Sequence, residues 1–347
     1  MQNLNELMCY RTILLLIFSM MMVSCSIRQI ETYEVEADRF LKNMPVGLQD
    51  RQCVAIREAM AGDNAALEAV RNGRNAKIPL SDKVAVKELS SQLRLYVPND
   101  KKHETLPLLV YLHGGGWTFG SINSCARYCS ELAATGEVMV LAVNYRLAPE
   151  YPYPCGLQDV VAAIEYAYAH AVEWGSASHL VSVGGDSSGG NLALSATLYL
   201  LRENKSLPHS LVLYYPVVSA WNDQSDSWKK YGTDKALDGV IMEAFNEAYC
   251  AGVNQSIHEN AHSNALISPS VATDEELSRL PKILLTAAER DILCDQGKLF
   301  AERLHSLGVN IHRHVYSGSV HLFITVPGQE KAFRDAIKTA TDFLREK

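Results

Sequence analysis

The hexapeptide Gly185-Asp186-Ser187-Ser188-Gly189-Gly190 lies between two stretches of different secondary-structure character. Before it runs a short apolar segment, His179 to Val183. After it comes Asn191-Leu-Ala-Leu-Ser-Ala-Thr-Leu-Tyr199, which reads as a helix. Strand, Gly-x-Ser-x-Gly, then helix is the context of a serine held on a sharp turn with its hydroxyl presented above a sheet. The glycines fit such a turn because side chains beside the serine would clash and because glycine admits φ above zero. Glycine-rich turns after strands also cradle phosphates, so the motif alone leaves two chemistries open.

A second loop narrows them. Leu106 to Leu112 is another apolar run and ends in His113-Gly114-Gly115-Gly116-Trp117. Three consecutive glycines leave backbone N–H groups free to point at a ligand, and the flanking His113 and Trp117 add no flexibility that a mere linker would want. With the N–H of the residue after the serine, such a loop builds an oxyanion hole. The expected donors are Gly114, Gly115 and Ser188.

A serine hydroxyl needs a base to take its proton and a third group to orient the base. Lys282 to Ala287 reads as a buried strand leading into Ala288-Glu289-Arg290-Asp291-Ile292-Leu293. A carboxylate past a strand's C-terminal end sits at the active edge of a parallel sheet. Asp291 fits, with Glu289 and Asp295 as competitors; Asp295 also fits as N-cap of the helix that follows. Val309 to Tyr316 then alternates as a strand, followed by Ser317-Gly318-Ser319-Val320-His321-Leu322-Phe323 as a loop. His305 falls in a helical pattern, while His312 and His314 share one strand face. The expected base is therefore His321.

These residues resemble the bacterial hormone-sensitive-lipase family of α/β-hydrolases. His-Gly-Gly-Gly-Trp, Tyr145-Arg-Leu-Ala-Pro-Glu150, Gly-Asp-Ser-Ser-Gly-Gly and Ala-Glu-Arg-Asp-Ile-Leu-Cys-Asp-Gln-Gly match that family's pattern in order, with Pro152, Pro154, Asp159 and Ser268-Pro269 as smaller echoes. The resemblance spans Val84 to the C-terminus. It implies a mostly parallel central sheet flanked by helices, with a helical cap. It also implies Ser187 as nucleophile, Asp291 as acid, His321 as base, and Gly114, Gly115 and Ser188 as oxyanion donors. The chain departs from the pattern at Ser188, where the family has alanine, and at Leu322, where it has glycine after the histidine. Leu322 and Trp117 are the expected substrate contacts.

The expected activity is a serine carboxylesterase for small to medium acyl esters, with no cofactor or metal. The alternatives are a carbohydrate acetyl esterase of the same mechanism and a non-catalytic ligand-binding protein on this fold. At 347 residues and 48% hydrophobic content the chain suits one catalytic domain. A net charge of −7 leaves no basic footprint for nucleic acid. Ala55 to Ala61 and Ala65 to Arg71 read as helices from their periodic apolar stripe, and the resemblance implies that they join an aromatic-rich insertion, about 223–260, as the cap of the catalytic domain, 84–347. Arg146 and Glu150 read as structural.

At the N-terminus, Thr12 to Val23 is an apolar run too short to span a bilayer, and Ser24-Cys25-Ser26 follows it. The pattern resembles a bacterial lipoprotein signal over residues 1–25. It predicts an exported protein lipidated at Cys25, anchored through that lipid alone, with residues 26 to about 36 as tether within a tether-and-cap region, 26–83. Ordinary secretion without the lipid is the alternative, because Met22 is unusual three residues before the cysteine. The remaining cysteines include Cys53, Cys125, Cys129, Cys155, Cys250 and Cys294, whose pairing spacing does not give.

Overall fold

The computed structural model describes residues 32–251 and 263–346. In chain order the strands are β1 (Val84–Glu88), β2 (Leu93–Pro98), β3 (Leu108–Leu112), β4 (Met139–Val143), β5 (Val181–Asp186), β6 (Ser210–Tyr214), β7 (Lys282–Arg290) and β8 (Ile311–Val320). They form one sheet in the order β1-β2-β4-β3-β5-β6-β7-β8. β2 pairs antiparallel with β1 and β4, and the other neighbours are parallel. Every residue of β3, β4, β5 and β6 is buried. That matches their unbroken apolar runs, since a parallel sheet is covered on both faces.

The two faces follow from strand alternation. On β3, Leu108, Val110 and Leu112 pack into one core with Leu157 and Val160 of the helix Cys155–Trp174, Leu192 of Ser188–Arg202 and Phe300 of Cys294–Ser306. Leu109 and Tyr111 face the other core, with Leu132 of Ala126–Ala133 and Phe333 and Phe343 of Glu330–Arg345. This is the α/β-hydrolase architecture, and it bears out the fold expected from the motifs.

Above the strand ends, the helices Leu48–Met60 and Ala65–Arg74 meet the helix Gly239–Tyr249 from the insertion. Ile56, Leu67, Ile241 and Phe245 share a single apolar cluster. Gln49 ties the pieces together: its Nε2 donates to the Lys235 carbonyl at 2.9 Å and its Oε1 accepts from Asp238 N–H at 2.8 Å. Arg71 clamps this cap to the body by a bidentate pair with Glu150 and by bonds to the carbonyls of Thr118 and Ala148. Arg146 pairs with Asp159. Both Arg146 and Glu150 thus do structural work.

Several boundaries differ from the sequence expectation. The tether was expected to reach about Glu36, but Thr32 caps a helix over Tyr33–Asn43. That helix is fastened to the body by Tyr33 to Asp335, 2.7 Å, and Arg290 to Asp38, 2.6 Å. β8 runs on through Val320, so Ser317 to Val320 are strand and not loop. Asp295 does not cap the helix Cys294–Ser306, whose N-cap is Leu293; its carboxylate accepts from Ser227 N–H at 2.8 Å. Cys53, Cys125, Cys129, Cys155, Cys250 and Cys294 are free thiols. Cys25 lies outside the described residues. Among the described residues no helix is long and apolar enough to cross a membrane.

Candidate active site

β5 ends at Asp186, and Ser187 follows at φ 55°, a conformation a non-glycine residue adopts only under constraint. The constraint is local. Ser187 N–H is held by the Tyr214 carbonyl at 2.9 Å, and the helix Ser188–Arg202 starts at once. A Cβ at Gly189 would run into the carbonyl oxygen of Leu112, so only glycine lets that helix start so close to β3. The turn therefore pushes Ser187 Oγ out over the sheet edge.

His321 follows β8 directly and is buried. Its Nδ1 lies 2.5 Å from Asp291 Oδ2, and its Nε2 lies 3.0 Å from Ser187 Oγ. A carboxylate only accepts, so Nδ1 carries the proton and Nε2 is left to accept from the serine hydroxyl. Asp291, past the end of β7, accepts from Leu293 N–H through its other oxygen at 3.1 Å. Gln329 fixes the histidine backbone by donating to the carbonyls of Val320 and His321, each at 3.1 Å. Tyr215 packs beside the imidazole, with ring centroids 4.2 Å apart.

The competitors are occupied or remote. Glu289 accepts from Gly318 N–H at 2.6 Å. His312 and His314 are exposed, and His305 lies on the helix Cys294–Ser306. Among the described residues no group of three or more His, Cys, Asp or Glu is placed to hold a metal ion.

The glycine loop corrects the expected donor set by one residue. Gly114 N–H is already committed, donating to Asp186 Oδ1 at 3.0 Å. Among the described residues the N–H groups of Gly115, Gly116 and Ser188 take no protein partner, and Gly115 and Gly116 line the cavity beside Ser187. Ser188 opens its helix, where N–H groups are free. Gly116 sits at φ 59°, and a Cβ there would strike the Phe245 ring.

Asp186 is the organising residue that the motif contains but the sequence reading leaves without a role. Fully buried, its carboxylate accepts from Tyr111 OH at 2.8 Å, Gly114 N–H at 3.0 Å and Thr325 Oγ1 at 2.7 Å. One side chain thus joins the serine turn, the glycine loop and the histidine loop. Burial raises its pKa, while the three donors favour the carboxylate and work against that rise.

Trp117 is also corrected. It is 1% exposed, stacks on Tyr249 with centroids 4.5 Å apart, and is not among the residues lining the cavity. It ties the glycine loop to the cap helix Gly239–Tyr249. Leu322 does line the cavity, at φ 72°. A left-handed conformation costs a leucine about 1 kcal/mol, which explains why glycine suits this place. The cavity over Ser187 and His321 is small, about 40 Å³.

Comparison with known proteins points to the same fold class. A family described by its alpha/beta hydrolase fold matches residues 109–325. The chain is 32% identical over 247 residues to a carboxylesterase of Mycobacterium tuberculosis, covering 69% of this chain and 74% of the relative. It is 33% identical over 246 residues to an arylesterase of Saccharolobus solfataricus, covering 71% and 76%. Across eight curated relatives the chain spans between 57% and 76% of their length. The crystal structure of carboxyl esterase 2 from the fungus Tuber melanosporum superposes with a TM-score of 0.70 at 26% identity, covering 78% of this chain and 88% of that one.

Proposed function

The chain belongs to the alpha/beta hydrolase fold family, and from that premise we propose that it hydrolyses carboxylic esters of small to medium acyl chain through an acyl-enzyme on Ser187. It is a carboxylic ester hydrolase, as its esterase relatives and structural neighbours support. The observation that carries the mechanism is the line from Asp291 to His321 to Ser187 Oγ at 2.5 and 3.0 Å, beside unpartnered amides. Ser187 attacks the ester carbonyl as His321 Nε2 takes its proton. The charge that develops on the carbonyl oxygen falls to the N–H groups of Gly115, Gly116 and Ser188. The imidazolium, steadied by Asp291, then protonates the leaving alcohol. Water, deprotonated by the same histidine, releases the acid and restores the serine.

The size preference rests on the small cavity and on Leu322 in its wall. A methylene that fits a pocket gains about 0.8 kcal/mol, roughly fourfold in specificity, whereas one that does not fit adds strain. Nitrophenyl esters of roughly two to six acyl carbons should be the best substrates. Leu322→Gly should move the optimum to longer chains, read as kcat/KM along the acyl series. Fastest turnover of long-chain esters by the unaltered enzyme would contradict the assignment.

Export is a second proposal, supported by the pattern around Cys25. A bacterial lipoprotein carries several acyl chains, enough to hold a water-soluble domain at a membrane. The enzyme should fractionate with membranes, and Cys25→Ala should release it to the soluble exported fraction or leave it unprocessed. Cytoplasmic enzyme with Met1 intact would end the proposal.

A further inference from the structure

Arg74, at the end of the cap helix Ala65–Arg74, lines the same cavity as Ser187 and His321. Its guanidinium lies over the Phe119 ring, 4.8 Å from the centroid. Arg57, Arg71, Arg146, Arg290 and Arg303 each hold a carboxylate. Among the described residues none pairs with Arg74. Withdrawal from solvent lowers its pKa, with no neighbouring charge working against that fall. Arg74 is half-buried, so an anion entering the cavity meets a cation that no carboxylate of the described residues already holds.

The surroundings indicate where that anion comes from. The cavity wall includes Met44, Leu48, Arg74 and Leu322, and the same four residues, together with Arg39 and Asn43, wall an adjoining pocket of about 310 Å³. Among the described residues no acidic side chain lines either space. An ester whose carbonyl sits at Ser187 extends into a cavity that the guanidinium also lines, beside Met44, Leu48 and Leu322. Gln52, largely buried, also faces this passage.

We propose that Arg74 is a specificity residue that receives a carboxylate carried by the substrate, so that the preferred esters are acid esters with a free carboxylate a few carbons from the scissile bond. The inference rests on the ester-hydrolase reading of the same cavity and adds the charge of the substrate to it. A guanidinium meets a carboxylate through two parallel N–H bonds, and such charge-assisted pairs are about twice as strong as neutral ones. An apolar tail of equal length leaves the guanidinium unpaired.

Two matched pairs of substrates test this. Monomethyl glutarate against methyl pentanoate places the charge on the acyl side, and 4-acetoxybutanoate against butyl acetate places it on the alcohol side. In at least one pair the acid ester should show a kcat/KM about tenfold or more above its neutral match at low salt. Arg74→Met should erase that ratio, and Arg74→Lys, which keeps the charge but not the fork, should restore part of it. Calorimetry with free glutarate reads the same contact without turnover. Glutarate should bind the unaltered protein about tenfold more tightly than Arg74→Met. Equal ratios in both pairs, or equal glutarate binding by protein and variant, would overturn the assignment. If no ester were turned over while glutarate binding still depended on Arg74, the hydrolase reading would fail and the carboxylate site would stand.

Discussion

Ser187→Ala should remove ester turnover by a factor on the order of a million while leaving the fold in place. Members of a nucleophile–base–acid unit act together, so loss of the attacking atom forfeits nearly all that the unit contributes, about 8 kcal/mol of barrier. What remains is the acceleration from the amides and from substrate binding, which the variant keeps. The fold should tolerate the change. Ser187 Oγ has its hydrogen bond to His321 Nε2, and the backbone bond that pins the turn, Ser187 N–H to Tyr214 O, survives in alanine. A fluorophosphonate probe should label the unaltered enzyme at one serine and leave the variant unlabelled, with matching circular dichroism. Persistent labelling or turnover in Ser187→Ala would place the nucleophile elsewhere.

The parts of this site that are legible in the sequence are those fixed by local backbone demands. The turn at Ser187 requires glycine at Gly185 and Gly189 because Cβ atoms there would meet the backbone of β3 or of the helix start. That need is written into six consecutive residues. Buried parallel strands require unbroken apolar runs, so β3, β5 and β7 announce themselves, and a carboxylate or histidine just past one of them is placed by the sheet. Boundaries were blurred where a turn shares the strand's composition. His179 and Leu180 belong to a short 3₁₀ turn and not to β5.

What the sequence does not disclose depends on contacts between remote segments. The donor set moves from Gly114 toward Gly116 only because Asp186 captures Gly114 N–H, and no pattern of three glycines encodes which one is taken. Trp117 looks like a substrate platform beside a glycine loop until Tyr249, from the cap, is seen stacked on it. Arg74 sits in an unremarkable helical end. Its meaning comes from Phe119 beneath it and from the lack of a carboxylate among its described neighbours, both set by how the cap lands on the sheet.

His321→Ala should be as damaging as loss of the serine, whereas His312→Ala and His314→Ala should keep turnover within about twofold, the spread usual for exposed side chains away from a site. The contrast is a matter of address. His321 reaches both partners because β8 ends at Val320, which delivers the next residue to the sheet edge where β5 and β7 also end. His312 and His314 lie earlier on β8, exposed, with His312 bonded to Asn310 and His314 against the Tyr316 ring. Without the imidazole, Ser187 loses its proton acceptor and Asp291 becomes a buried carboxylate facing a void, so the variant should also lose some stability. Asp291→Asn separates the two effects. The amide keeps the shape but can turn its donor toward Nδ1, favouring the wrong tautomer, and should lower kcat by about 10⁴ with the melting temperature little changed. Activity surviving in His321→Ala, or falling equally in His314→Ala, would mean that the hydrogen-bonded line from Asp291 to Ser187 is not the one that moves the proton.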